Sequence, residues 1–136
     1  MIGAYNSTTQ TVETGSAYVF DTNRIATGCT VGHAPGTSVF TLTKPGYYYV
    51  TFNTVFTTTE TGAATVELLN KGVLVPGATA TETIGTAGDV TSLSFTTIVK
   101  VLPSCAAVDN TATLTFVATG IDLTATIAAV NITKLC

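Results

Sequence analysis

Charge is what this sequence lacks most. Asp, Glu, Lys and Arg make up 10% of its 136 residues, against about 25% in an average soluble domain. The five cations, Arg24, Lys44, Lys71, Lys100 and Lys134, stand far apart in the chain. Binding along a phosphate backbone needs clustered cations, so no nucleic-acid partner is expected. No apolar run approaches the ~18 residues of a membrane span, and no helical period appears anywhere. The first ten residues carry neither the basic region nor the apolar run of a signal peptide, which predicts a chain made in the cytosol and not exported by the general route. Asn6-Ser7-Thr8 and Asn131-Ile132-Thr133 match the glycosylation sequon, which means little without export.

The residue types of most reaction centres are also scarce. There is one histidine, His33. With Cys29 it forms Cys-x-x-x-His, two of the four ligands a structural zinc site takes. Cys105 or Cys136 would have to join from far away, and a plain loop histidine is the simpler reading. The eight acids show no calcium-loop run, and neither a G-x-S-x-G elbow nor a P-loop is present. We therefore expect no enzyme, no metal and no cofactor. Three cysteines cannot all pair within one chain. They read as small apolar residues in a reducing compartment, with a Cys105–Cys136 bridge or an interchain bond through Cys136 as the alternatives.

Threonine is abundant: 31 of 136 residues. It is β-branched, favours strands and tolerates water. A Thr-rich, charge-poor β protein can be soluble, and it is also what a subunit looks like when copies of itself cover much of its surface. The densest apolar stretch is Pro45-Gly46-Tyr47-Tyr48-Tyr49-Val50-Thr51-Phe52-Asn53-Thr54-Val55-Phe56, with five aromatic positions. A turn signal opens it, and strand alternation puts Tyr48, Val50, Phe52 and Phe56 on one face and Tyr47, Tyr49, Thr51 and Asn53 on the other.

Similar alternation marks further strands at residues 16–21, 39–43, 65–69, 73–75, 90–102, 112–117 and 125–135. Asn70-Lys71-Gly72 reads as a tight hairpin turn, Pro76-Gly77 as a strand end, and Pro103-Ser104 and Asp109-Asn110 as breaks. About eight strands with turns every ~8–12 residues indicate an antiparallel β-sandwich or closed barrel in one domain. The expected core holds Tyr48, Val50, Phe52, Phe56, Leu68, Phe95 and Phe116. Residues 1–14 are polar with isolated Ile2, Tyr5 and Val12. They read as an N-terminal docking arm, or else a frayed tail, ahead of a domain over residues 15–136.

The order Phe40-x-Leu42, Pro45-Gly46 turn, then Tyr47-Tyr48-Tyr49-Val50-x-Phe52 resembles the signature of the tumour necrosis factor and complement globular-head superfamily. The run Thr65 to Gly77 and the closing strand with Ile132 and Lys134 are most similar to the C-terminal domains of bacterial collagen-like exosporium glycoproteins. The resemblance implies an all-β, antiparallel jelly-roll sandwich that forms a homotrimer about an aromatic and aliphatic axis. Tyr47 and Tyr49, with Leu135 near the chain end, are the candidate trimer contacts; the alternative puts both tyrosines under a loop of their own chain. The chain departs from the family in having no Gly-X-Y collagen segment and no acidic calcium loops. The expected role is a trimeric decoration protein on the outside of a virus particle, most simply a bacteriophage capsid, docked through the N-terminal arm. The alternative is a glycan- or receptor-binding head at a fibre tip, or on a spore or cell surface.

Overall fold

The computed structural model describes residues 1–101 and 112–135. Among them are eleven strands: β1 (Ile2–Asn6), β2 (Gln10–Val12), β3 (Thr22–Ala26), β4 (Val31–Gly32), β5 (Phe40–Leu42), β6 (Gly46–Thr57), β7 (Gly62–Asn70), β8 (Val73–Ile84), β9 (Thr91–Val101), β10 (Ala112–Thr119) and β11 (Leu123–Lys134). The first sheet has the order β3-β1-β11-β6-β9, with β2 also on β11; the second has the order β4-β5-β10-β7-β8. Every ladder is antiparallel. This is a jelly-roll sandwich. The expected breaks after residue 102, the Asp109-Asn110 turn, and Cys105 and Cys136 lie outside the described residues.

The core follows from alternation along the two central strands. On β6, Tyr48, Val50, Phe52 and Phe56 are all buried, and across the interior so are Leu68 of β7 and Phe116 of β10. Phe52 stacks on Phe116 with centroids 4.8 Å apart, and Tyr18 meets Phe52 edge-on at 5.3 Å. Phe95 is half-buried at the margin, 5.4 Å from Phe52. Each fully buried large apolar side chain contributes roughly 1.5–3 kcal/mol.

Three readings of the sequence are corrected. Residues 1–14 are not an arm separate from the domain. Backbone pairing joins Ile2 through Asn6 to β11 and β3, and Gln10 through Val12 to β11. Ile2 and Val12 enter the core, while Tyr5 lies half-buried on the outer face of the first sheet. Ile2 and Val12 are the inward residues of short, half-buried strands, and Tyr5 is an outward one. Next, residues 16–21 form no full strand. They leave the first sheet after β2 and return to it at β3, making only the single bridges Ala17–Val117, to β10 of the second sheet, and Phe20–Thr37, although Tyr18 and Phe20 are fully buried. Finally, Pro76-Gly77 does not end a strand. The register shifts there, so Leu69 faces Leu74 while Glu67 faces Thr79. The extra residues of this bulge need no ladder donor, and β8 is a sheet edge, where proline is tolerated.

The Asn70–Val73 hairpin closes through Lys71 at φ 51° and Gly72 at φ 82°. Two positive φ values in a two-residue loop match the right-handed twist of the flanking strands.

Candidate assembly surface

The outer face of the first sheet is where the candidate contact residues stand. Tyr47 and Tyr49 are 43% and 41% exposed, on the face of β6 opposite the core. Their cross-strand partners on β9 are Lys100 and Ile98, and on β11 Tyr49 faces Thr133. Leu135 donates its backbone N–H to the Tyr47 carbonyl at 2.7 Å, and its side chain is exposed. The three candidates named from sequence are thus neighbours. No loop among the described residues covers the tyrosines.

Tertiary structure adds Ile98, which is 53% exposed beside Tyr49. Its signal in the sequence was a parity opposite to that of Leu93, Phe95, Val99 and Val101. Further along the same face the rows are Thr51 with Thr96 and Asn131, then Asn53 with Ser94 and Ala129. Lys100 is the one charged side chain in these paired rows, and its Nζ lies 5.5 Å from the centre of the Tyr47 ring. A cation over an aromatic face is held there at no cost in burial. The surface is otherwise apolar or carries uncharged hydroxyl and amide groups.

Around the edge of β9 lies an open groove of about 220 Å³, lined by Val73, Leu74, Val75 and Pro76 of β8, by Ile98 to Lys100 of β9, and by Asn70. Val73 and Leu74 are exposed. The Asn70 Oδ1 is buried without a hydrogen-bond partner among the described residues. Aliphatic edge and aromatic face therefore meet at one corner of the sandwich.

His33 has a structural position. Its Nδ1 lies 2.6 Å from Asn23 Oδ1, its Nε2 lies 2.9 Å from the Thr37 carbonyl, and its ring stacks on Phe40 at 4.3 Å. Asn23 Nδ2 donates to the His33 carbonyl at 2.7 Å, tying β3 to the loop after β4. Both ring nitrogens are directed at Asn23 and Thr37 rather than at Cys29, which is an exposed free thiol. Among the described residues no three His, Cys, Asp or Glu side chains converge as a metal-binding group, and no helix is long and apolar enough to cross a membrane.

No family model and no curated protein sequence matches the chain. Solved structures do. The globular domain of zebrafish complement 1qA superposes with a TM-score of 0.73 at 13% identity, over 99% of this chain and 96% of that one. The Eiger TNF of S. frugiperda gives 0.68 at 11% identity, over 99% and 92%. The PRD1 vertex protein P5 gives 0.61 at 14% identity, over 99% and 96%. The chain therefore has the TNF/C1q-like jelly-roll fold. Its likenesses extend from complement and TNF domains to a viral vertex protein, all across nearly the whole chain.

Proposed function

We propose that this chain is a non-enzymatic structural protein that assembles as a homotrimer and decorates the outside of a virus particle, in the simplest case a bacteriophage capsid. The observation that carries the trimer is the corner where Tyr47, Tyr49, Ile98 and Leu135 stand exposed beside Val73 and Leu74. A contiguous apolar surface rimmed by hydroxyls is the composition of a subunit contact rather than of a free face. The aliphatic edge and the aromatic face are different surfaces, so an edge of one copy packs on the face of the next. Such a head-to-tail contact closes into a ring when its rotation is a third of a turn.

The likeness to a vertex protein of PRD1 supports a virion setting. Attachment to the particle then uses the folded surface, because residues 2–6 and 10–12 are committed to the first sheet.

Light scattering on the purified chain tests the assembly. The trimer requires three times 13.9 kDa. A species at 13.9 kDa at micromolar concentration removes it. An antibody against the chain, applied to intact particles from cultures that produce it, tests the location; labelling of free protein alone removes the decoration role. Specific retention on a glycan array would instead favour a receptor- or glycan-binding head.

A further inference from the structure

His33 stands between the two sheets, at the ends of both that lie away from β8 and β9. Asn23 belongs to β3 of the first sheet and Phe40 to β5 of the second, and the His33 ring touches both. One flat side of the ring stacks on Phe40 at 4.3 Å, and Phe20 meets it edge-on at 6.2 Å. Phe20 and Phe40 are fully buried.

Both ring nitrogens meet acceptors. Nδ1 lies 2.6 Å from Asn23 Oδ1, and Nε2 lies 2.9 Å from the Thr37 carbonyl oxygen. The Asn23 amide cannot turn round to offer a donor, because its Nδ2 already donates to the His33 carbonyl at 2.7 Å. The reverse orientation would set Oδ1 against that carbonyl oxygen. A neutral imidazole carries one N–H, so one nitrogen would point a lone pair at an oxygen. An imidazolium carries two and satisfies both partners. The face of Phe40 also attracts a charged ring.

The titratable and charged groups on the elements packed against the ring are Asp21, Arg24, Cys29 and Lys44. The Asp21 carboxylate accepts from Ser7 and Thr22. Arg24, Lys44 and the Cys29 thiol are exposed. The hydrogen bonds of the ring among the described residues go to Asn23 and Thr37.

The Thr37 carbonyl has a second donor, the Phe20 N–H at 3.2 Å, and the Gly36 N–H returns to the Phe20 carbonyl at 2.9 Å. These bonds fasten the turn over residues 34–37 to the segment ahead of β3. The ring is a third fastening of the same turn.

We infer that His33 is a proton-operated latch on this turn. With both protons the ring bonds Asn23 and Thr37 and clamps the turn to β3. When one proton leaves, the other stays on Nδ1, whose acceptor is nearer and better shielded. Nε2 then turns a lone pair on the Thr37 carbonyl, the turn moves off, and the bonds to Phe20 weaken with it. The clamp is present at low pH and is lost as pH rises through the range in which histidine titrates. It acts within one copy and does not depend on the proposed trimer.

Nuclear magnetic resonance on the full chain tests this. The nitrogen chemical shifts of the ring should show both nitrogens protonated at about pH 5 and Nδ1 alone protonated at about pH 8. Over the same interval the hydrogen-exchange protection of the Phe20 and Gly36 amides should fall about 10-fold or more, the worth of one hydrogen bond to a charged group. Protection along β6 should not change. His33→Phe keeps an aromatic ring against Phe40 and should abolish the pH dependence at Phe20 and Gly36. Equal protection at both pH values overturns the inference, as does an equal fall in His33→Phe. So does a ring that loses its proton while Phe20 and Gly36 stay protected, a reading that needs only the parent chain.

Discussion

The hydroxyls of Tyr18 and Thr54 lie 3.4 Å apart inside the sandwich, brought together from residues 36 positions distant in sequence. Thr54 is 1% exposed and donates its Oγ1 hydrogen to the Ile127 carbonyl at 2.9 Å. That carbonyl is available because the β6–β11 register shifts between Ala125 and Ile127. A polar residue on the core face of β6 is thus satisfied by a bulge in its neighbour.

Burial pushes the Tyr18 hydroxyl up to about 12, from 10 in the free side chain. A folded value above the unfolded one means stability is fully present below pH 10. Between pH 10 and 12 the unfolded chain ionises while the folded one does not, and about 2–3 kcal/mol is lost. Urea titrations between pH 7 and 11.5 should show this decline. Tyr18→Phe should flatten it at a neutral-pH cost of ~1 kcal/mol or less, because Thr54 keeps the Ile127 carbonyl. An unchanged alkaline slope in Tyr18→Phe would assign the loss elsewhere.

Adjacent tyrosines on β6 should fail differently. Tyr48 is fully buried and its hydroxyl donates to the Lys44 carbonyl at 2.6 Å. Tyr48→Ala should cost about 3–5 kcal/mol, the range for removing a buried aromatic ring. Tyr49→Ala removes an exposed ring and should leave the folded subunit within about 0.5 kcal/mol of the parent. Its effect should be a lower mass in light scattering at limiting concentration.

Removing residues 1–14 should abolish folding. The deletion takes away β1 and β2, exposes the flank of β11 and discards the buried Ile2, Ala4 and Val12. At roughly 1.5–3 kcal/mol for each large apolar side chain, this rivals the whole stability of a domain. A truncated chain with native circular dichroism would contradict the pairing described.

Gly120 turns the chain from β10 to β11 with φ 91°, and a Cβ there would lie 2.1 Å from the Ala63 carbonyl oxygen. Gly120→Ala meets both an unfavourable backbone region and a backbone atom that cannot swing aside. A loss of at least about 2 kcal/mol is expected in chemical unfolding.

Acid should weaken a surface clasp. Ser7 Oγ donates to Asp21 Oδ2 at 2.6 Å, with further bonds from Thr22 Oγ1 and the Ser7 N–H. The Ser7 hydroxyl, then Thr22, hold the Asp21 carboxyl below its ordinary value. A lowered value means this stabilisation is present above the usual carboxylate range and fades as pH falls. Melting temperature should therefore drop less between pH 6 and pH 3 in Ser7→Ala than in the parent.

Much of the fold is written locally. Alternation on Tyr47 to Phe56 specifies a strand and its two faces, because side chains on a pleated strand point to opposite sides with period two. The same rule places Leu68 and Phe116 inward, and Asn70-Lys71-Gly72 specifies its own turn through positive φ. Those features need no knowledge of the rest of the chain. The partners of each strand do. Ile2, Tyr5 and Val12 look like a loose arm until β11, more than a hundred residues away, supplies the ladder that orders them. Pro76 looks like a stop until the bulge opposite Leu68 absorbs it. Ile98 becomes part of a patch only when β9 pairs beside Tyr49. Sequence alone determined an all-β, charge-poor chain with an aromatic central strand. Tertiary structure decided which faces meet, since pairing over long separations is set by the whole sheet rather than by any one segment.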